Sequence, residues 1–399
     1  MVARTHPDPA AGKQCERILI PNPIKIISLI TSKPKKKPQA RRVMALLPEA
    51  ESSAALKYYH VRDAKMSLAS SLIKHLAVAH LSPSTPWHQT AITRDARTKP
   101  TWVDPSTGES PVAFNVTHQA GVVALIATPS LVSSSSSPPN PNPNHPNPNP
   151  DPDADHPNPT LTTTEENGES EESEQEKTVQ VEVGIDIVSP AERRKRDHEL
   201  IAAESWPRFV DMHADVFSPS ETRYLKYEVL SQVPGLVSLS SSFSGERGGG
   251  LSTTDAKLRA FYALWALREA YVKLTGEALL APWLSELEFR RFRPSAPTAG
   301  WDVVAAATPT TAEDTDNRYG PQVVTNHQIY FRGQRVQDVN ISLRSMGPDF
   351  MICTAVRTPA KKEVGMSWKL GPFTVLDLDD VLEFAEARAV GEGESFGSW

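Results

Sequence analysis

The sequence predicts an α+β protein, and three stretches carry that prediction. Val181-Glu182-Val183-Gly184-Ile185-Asp186-Ile187-Val188 alternates as a strand, Leu264 to Gly276 has the spacing of an apolar helix, and Phe114 to Ala127 holds two strands around a turn. In the helix, Trp265, Glu269 and Lys273 recur every four residues and form one row, while Leu264, Leu267 and Leu274 point to a core. On an arbitrary helix such a carboxylate and ammonium make an exposed ion pair worth about 0.2–0.5 kcal/mol. In the strand, Val181, Val183, Ile185 and Ile187 share one face, Asp186 projects from the other, and Gly184 admits a close approach to the backbone. An aspartate at a strand end is commonly a turn residue. Beside the acid and base of the helix it becomes a candidate metal- or phosphate-site carboxylate.

Composition narrows the function classes. The chain has 399 residues, room for two or three domains, but its 35 prolines and long polar runs build no core. A net charge of −6, including the acidic cluster from Glu165 to Glu176, implies no nucleic-acid surface. Cys15 and Cys353 lie far apart and make neither a disulfide framework nor a thiol zinc site, which fits a reducing, cytoplasmic setting. The apolar run from Ile18 to Ile30 is interrupted by Pro21 and Pro23, so neither a signal peptide nor a membrane span is expected. The basic run from Lys33 to Arg42 reads as a solvated linker, with nuclear import as the alternative.

In chain order, Lys57 to Leu76 has helical periodicity, with Leu68, Ala69, Leu72, Ile73 and Leu76 on one apolar face and Arg62 and Lys65 off it. Thr93 to Pro100 is a basic loop containing Arg94 and Lys99. Val112, Phe114 and Val116 form a core-facing strand, Val122 to Ala127 another, with His118, Gln119 and Gly121 in the turn between them. Residues 129–178 combine a serine run, a Pro-Asn repeat and an acidic stretch, too poor in apolar side chains to offset the entropy of ordering. Phe217-Ser218-Pro219-Ser220-Glu221 is a capping-box start in which Glu221 is structural. Val237 to Thr254 reads as a second mobile insertion. Strands are expected at 287–289, 328–331 and 350–356, and one amphipathic helix within 375–389.

Set in this order, FNVTHQAG (114–121), GIDIV (184–188) and WALREAYVK (265–273) resemble the 4′-phosphopantetheinyl transferases, specifically their large single-chain (Sfp-type) branch with fungal and animal members. That family's pattern is FNxSHxxG, then G-x-D-x-acidic, then W-x-x-K/R-E-A-x-x-K, and the resemblance covers about residues 43–358. It implies a pseudodimer of two similar α+β halves with the active site at their junction. The halves are residues 43–128 and 179–358, flanked by a divergent or disordered segment 1–42, the insertion 129–178 and a tail 359–399. No internal repeat is readable between the halves. The family ordinarily begins with a core strand, and none is read within the first 42 residues.

The same resemblance implies a reaction. 4′-Phosphopantetheine would pass from coenzyme A to a serine of an apo carrier protein, with Mg²⁺ as the ion and adenosine 3′,5′-bisphosphate as the product. Carrier domains of fatty acid synthase, polyketide synthases, nonribosomal peptide synthetases or aminoadipate reductase would be the partners, and the enzyme a monomer. Asp186 and Glu269 would hold the ion, Glu269 would also accept or relay the serine proton, and Lys273 would stabilise the pyrophosphate and departing group. Arg62, Arg94, Lys99 and His118 would contact coenzyme A phosphates, with backbone near Thr117 donating to the pyrophosphate. The sequence departs from the pattern at Thr117 (serine), Thr98 (glycine), Arg268 (lysine) and Val188, where some members carry an acid. Arg268 preserves the charge, whereas Val188, Thr117 and Thr98, with the unread N-terminal strand, support the second reading, a noncatalytic coenzyme A or carrier-binding module. A plain structural scaffold would need all three motifs to coincide by chance.

Overall fold

A computed structural model describes residues 25–30, 37–133, 178–230, 252–277, 281–298, 323–371 and 373–390. The expected insertions fall, for 134–177 and 237–251, outside the described residues, as does Cys15.

One supersecondary unit occurs twice. In the first half, strand β1 (Lys25–Ile30) is followed by helices α1 (Lys37–Leu46), α2 (Glu49–Leu56) and α3 (Val61–Leu81). A two-rung ribbon, β2 (Thr93–Arg94) with β3 (Pro100–Thr101), precedes the hairpin of β4 (Val112–Gln119) and β5 (Val122–Pro129). β5 pairs antiparallel with both β4 and β1. Helix α3 is apolar on two sides rather than one. Met66, Ala69 and Ile73 meet the sheet at Phe114, Val123 and Leu125, whereas Leu68, Leu72 and Leu76 meet Val43 and Leu47. A helix clasped between a sheet and other helices needs both stripes.

The halves are joined by β6 (Leu131–Ser133), which pairs antiparallel with β7 (Thr178–Gln180). The second unit then runs through β8 (Glu182–Val188), α4 (Pro190–Glu204), α5 (Trp206–Asp211), α6 (Pro219–Tyr227) and the long helix α7 (Thr253–Thr275). A small sheet of β9 (Leu287–Arg290), β11 (Gln328–Phe331) and β12 (Gln334–Arg335) follows, with β10 (Val323–Val324) joining the main sheet. The hairpin of β13 (Val339–Met346) and β14 (Phe350–Arg357) completes that sheet, in the order β10-β13-β14-β8. β8 therefore stands to α7 and its hairpin as β1 stands to α3 and its hairpin. The repetition lies in topology and has no counterpart in residue identities.

Four sequence expectations change. The core strand that could not be read lies at Lys25–Ile30, inside the segment 1–42, in the apolar run just past Pro21 and Pro23. The tail 359–399 is no appendage up to residue 390. After α8 (Lys362–Met366), β15 (Thr374–Leu376) pairs parallel with β1, and α9 (Leu378–Val390) buries Val381, Leu382, Phe384 and Ala385 against Leu72, Leu76 and Trp87 of the first half. Thus the first half closes only when the chain returns to it. His118 and Gln119 belong to β4, and the turn is Ala120-Gly121, both at positive φ (51° and 83°). This is the geometry of a two-residue hairpin loop that follows the strand twist. Finally, β13 was not among the expected strands.

Candidate active site

The site lies where β4, at the edge of the first sheet, meets β8, at the edge of the second. Edge strands carry unpaired backbone groups, and here side chains serve them. Ile185 N–H donates to Asn115 Oδ1 at 3.3 Å, Ile187 N–H to Thr117 Oγ1 at 3.3 Å, and Ser189 N–H to Gln119 Oε1 at 3.2 Å. Side chains on every second residue of one strand thus fix the register of the other. The FNVTHQ motif is a zipper between the halves as well as a wall of the cavity beside them.

On the open side of this junction is a cavity of about 370 Å³ lined by Val116, Thr117, His118, Gln119, Asp186, Ile187, Val188, Trp265, Glu269 and Lys273. The spacing argument therefore places the whole row Trp265, Glu269 and Lys273 on one wall. Lys273 Nζ donates to Asp186 Oδ1 at 2.7 Å and to Thr117 Oγ1 at 3.2 Å, and Thr117 Oγ1 in turn donates to Asp186 at 3.1 Å. With the bond from Ile187, that hydroxyl uses its one proton and both lone pairs. It is committed to orienting Asp186.

Charge in the cavity is under-compensated. Burial pushes Asp186 up, opposed by Lys273 and Thr117. Burial, then the Asp186 charge, raises Glu269 to about 7 against the pull of Lys273. His118 is lowered by burial and by Lys273. Two carboxylates and one lysine leave room for another cation or for a proton.

Helix α7 can bring its row this close because of Gly184. A Cβ there would stand 2.1 Å from the Ala270 carbonyl oxygen and 2.7 Å from the Leu274 nitrogen. The close approach expected at Gly184 is thus that of the helix backbone. Ser252 caps the start of α7 by accepting from Asp255 N–H, and Gly276, at φ 78°, ends it. Arg97 Nη1 donates to the Thr275 carbonyl at 3.1 Å, and Lys99 Nζ to those of Val183 at 3.0 Å and Leu274 at 3.5 Å. The basic loop of the first half thereby holds the last turn of the helix that carries Lys273, with cations set at the negative end of the helix dipole.

Other expected site residues are not brought to the cavity lining. Arg62 pairs with Glu192 at 3.0 Å, across the halves, and lies 3.7 Å from Asp63. Arg94 donates to the Thr98 carbonyl at 2.5 Å. Lys99, on its two carbonyls, is lowered to about 8 by burial. Thr98 occupies positive φ (65°), a conformation that glycine takes freely and a β-branched residue does not. Arg268, next to Glu269 in sequence, is fully buried on the far side of α7 and pairs with Glu221 at 2.7 Å. Glu221 closes the expected capping box with Ser218 and also accepts from Phe289 N–H at 2.7 Å. That pair is a structural tie between α6, α7 and β9. Asn115, Gln119 and Arg97 were missed as positioning residues; the alternation of polar side chains at 115, 117 and 119 was the available signal.

The fold and site define an α+β protein in which two similar units share one polar, lysine- and carboxylate-lined cavity. The N-terminal 4′-phosphopantetheinyl transferase family matches residues 33–130, and the 4′-phosphopantetheinyl transferase superfamily matches residues 182–325. The chain is 34% identical over 347 residues to 4′-phosphopantetheinyl transferase 1 of Fusarium mangiferae, with 87% of each chain covered. Over 376 residues it is 30% identical to the 4′-phosphopantetheinyl transferase of Aureobasidium melanogenum, covering 88% of this chain and 92% of that one. It is also 32% identical over 327 residues to the 4′-phosphopantetheinyl transferase NpgA of Emericella nidulans, covering 79% and 76%. The chain belongs to the 4′-phosphopantetheinyl transferase superfamily. No described helix is long and apolar enough to cross a membrane.

Proposed function

We propose that the cavity between β4, β8 and α7 carries out phosphopantetheinyl transfer, from coenzyme A to a serine of an apo carrier protein. The observation that carries this reading is the set Asp186, Glu269 and Lys273 on one 370 Å³ cavity, with Glu269 raised to about 7. A base near neutrality is deprotonated often enough to work and basic enough to take a hydroxyl proton. Glu269 accepts the serine proton. The serine oxygen bonds to the pantetheine phosphorus as the bridging P–O bond of the pyrophosphate breaks, and Lys273, already held by Asp186 and Thr117, neutralises the charge left on the departing adenosine 3′,5′-bisphosphate. His118 faces the same oxygens from β4. Arg62, Arg94 and Lys99 are assigned to the remaining coenzyme A phosphates. For Lys99 the support is a buried ammonium bonded to two carbonyls, which an anion would compensate.

Magnesium fits the donor set. Among the described residues no three histidine, cysteine or acidic side chains converge, but Mg²⁺ needs only one or two carboxylates when phosphates and water complete its shell. Asp186 and Glu269, both pushed up chiefly by burial, are the residues that would hold it. Bound there, the ion would supply charge neutralisation at the pyrophosphate. Valine at 188 is then no obstacle. The carriers are proposed to be domains of fatty acid synthase, polyketide synthases, nonribosomal peptide synthetases or aminoadipate reductase.

Intact-mass measurement of an apo carrier protein incubated with the enzyme, coenzyme A and Mg²⁺ tests the reading. One added phosphopantetheinyl group is expected; binding without a mass change would instead favour the noncatalytic module. In Mg²⁺ titrations, Asp186→Ala should lose about 10²-fold or more of the transfer rate. Val188→Ala should stay within about threefold, since it removes apolar volume and no charge. Equal losses would show the ion to be misassigned.

A further inference from the structure

Within six consecutive positions the first half exposes four large apolar side chains. Leu56 is 66%, Tyr58 52%, Tyr59 93% and Val61 71% exposed. Single exposed apolar residues are ordinary, but four within one short corner of the chain have the composition of a contact surface. The other strongly exposed large apolar residues among those described, such as Val103, Tyr227 and Val390, are isolated in the chain. Lys57 and Lys65 are exposed among and beside the four, so the apolar group has cationic neighbours.

The patch occupies the corner from the end of α2 to the start of α3, and this corner borders the active cavity. Asp63, in the first turn of α3, acts electrostatically on His118, a lining residue. Arg62 reaches Glu192 in the first turn of α4, so the corner also touches the second half. Tyr59 is a knob rather than a wall, since it keeps 93% of its surface. Small ligands take concave sites. Protruding aromatic side chains suit the hollow of a macromolecular surface, where tyrosine is a frequent anchor.

We propose that this corner is the docking face for the apo carrier domain, which covers Tyr59 and Val61 with an apolar, carboxylate-rimmed surface beside its acceptor serine. The inference rests on the transferase reading. A serine on a folded domain reaches Glu269 only if that domain settles beside the cavity, and this corner, next to Asp63 and His118, carries exposed apolar side chains.

The test compares Tyr59→Ala, Val61→Asp and Tyr59→Phe with the parent, measuring KM for an apo acyl carrier protein and KM for coenzyme A. Val61 begins α3, where an aspartate is compatible with the helix dipole, so the fold is retained. Removing an interface anchor costs about tenfold in affinity or more. Tyr59→Ala and Val61→Asp should each raise the carrier KM by about that factor, with Tyr59→Phe near parental and kcat and the coenzyme A KM unchanged. Carrier KM values within about twofold of the parent in both variants would overturn the proposal. So would a rise confined to coenzyme A, which would place the nucleotide on the patch. Binding of the same apo carrier to Glu269→Gln protein, with and without Tyr59→Ala, decides the surface even without turnover. Weaker binding in the double variant supports the proposal and equal binding sinks it.

Discussion

Glu269 shows how much one position on a helix can hold. Its carboxyl is raised to about 7 because burial and Asp186 outweigh Lys273. If it is the base, the transfer rate should rise with pH through about 7 and level off above it. The same shift has a stability consequence of opposite sign. A folded-state value above the unfolded one means stability is fullest below the unfolded value, near 4.5, and is lost as pH rises through about 7. Glu269→Gln keeps the volume and removes the charge. It should therefore lower turnover by about 10²–10⁴-fold while raising the melting temperature relative to the parent at pH 8 and leaving it nearly equal at pH 4. A variant that melts no higher than the parent at pH 8 would show the carboxylate to be better compensated than the site geometry indicates. Trp265, Glu269 and Lys273 were legible in the sequence because a helical row needs only a spacing of four. The bonding of Thr117 was not legible, because its hydroxyl works between residues 69 and 156 positions away.

Among the elements, the packing of α7 on β8 decides whether the row faces anything. Its tolerance is set at Gly184, where a methyl group would enter the helix backbone. Gly184→Ala should cost about 3 kcal/mol, the upper range of overpacking, and lower transfer as well, since relief requires α7 to move away from Asp186. Chemical denaturation with parallel activity measurements checks this. A stable, fully active variant would mean that the helix has slack the packing does not show. The capping box at Ser218 and Glu221 was readable as a local pattern. The ion pair of Glu221 with Arg268 was not, since Arg268 sits beside the cavity-lining Glu269 in sequence and points the opposite way in space.

For the whole molecule, two connections matter. Ser133 and Thr178 are paired residues of β6 and β7, so the intervening residues 134–177 enter and leave at one point. Replacing them with Asn-Gly, which suits a two-residue hairpin loop, should leave transfer within about threefold, because loop length enters stability only through a slow logarithm. Loss of activity toward one carrier alone would reveal a recognition role for the insertion. Truncation before Thr374 should be severe. It strips β15 from β1 and removes Phe384 and Leu382 from the α3 core, where each large-to-small loss costs about 2–5 kcal/mol. Against a typical total of about 5–15 kcal/mol, the first half should not stay folded. Soluble, active protein lacking residues 374–399 would contradict this.

By itself the sequence determined the mixed fold class, the long helix with its row, the Asp186 strand and the three spaced motifs, because all are set by local periodicity and by residue type. Tertiary structure alone decided which strands begin and finish the first half, which cations clamp the helix end, and how β4 and β8 lock together. β1 lies in an apolar run without clear alternation, and β15 has three residues. Segments so short have no decisive period of their own and become strands only when a neighbouring edge offers its hydrogen bonds. The same holds for charge: Arg268, Lys99 and Lys273 are all cations in the sequence, and only burial and the groups packed around each one separate a structural tie, a helix clamp and the lysine of the cavity.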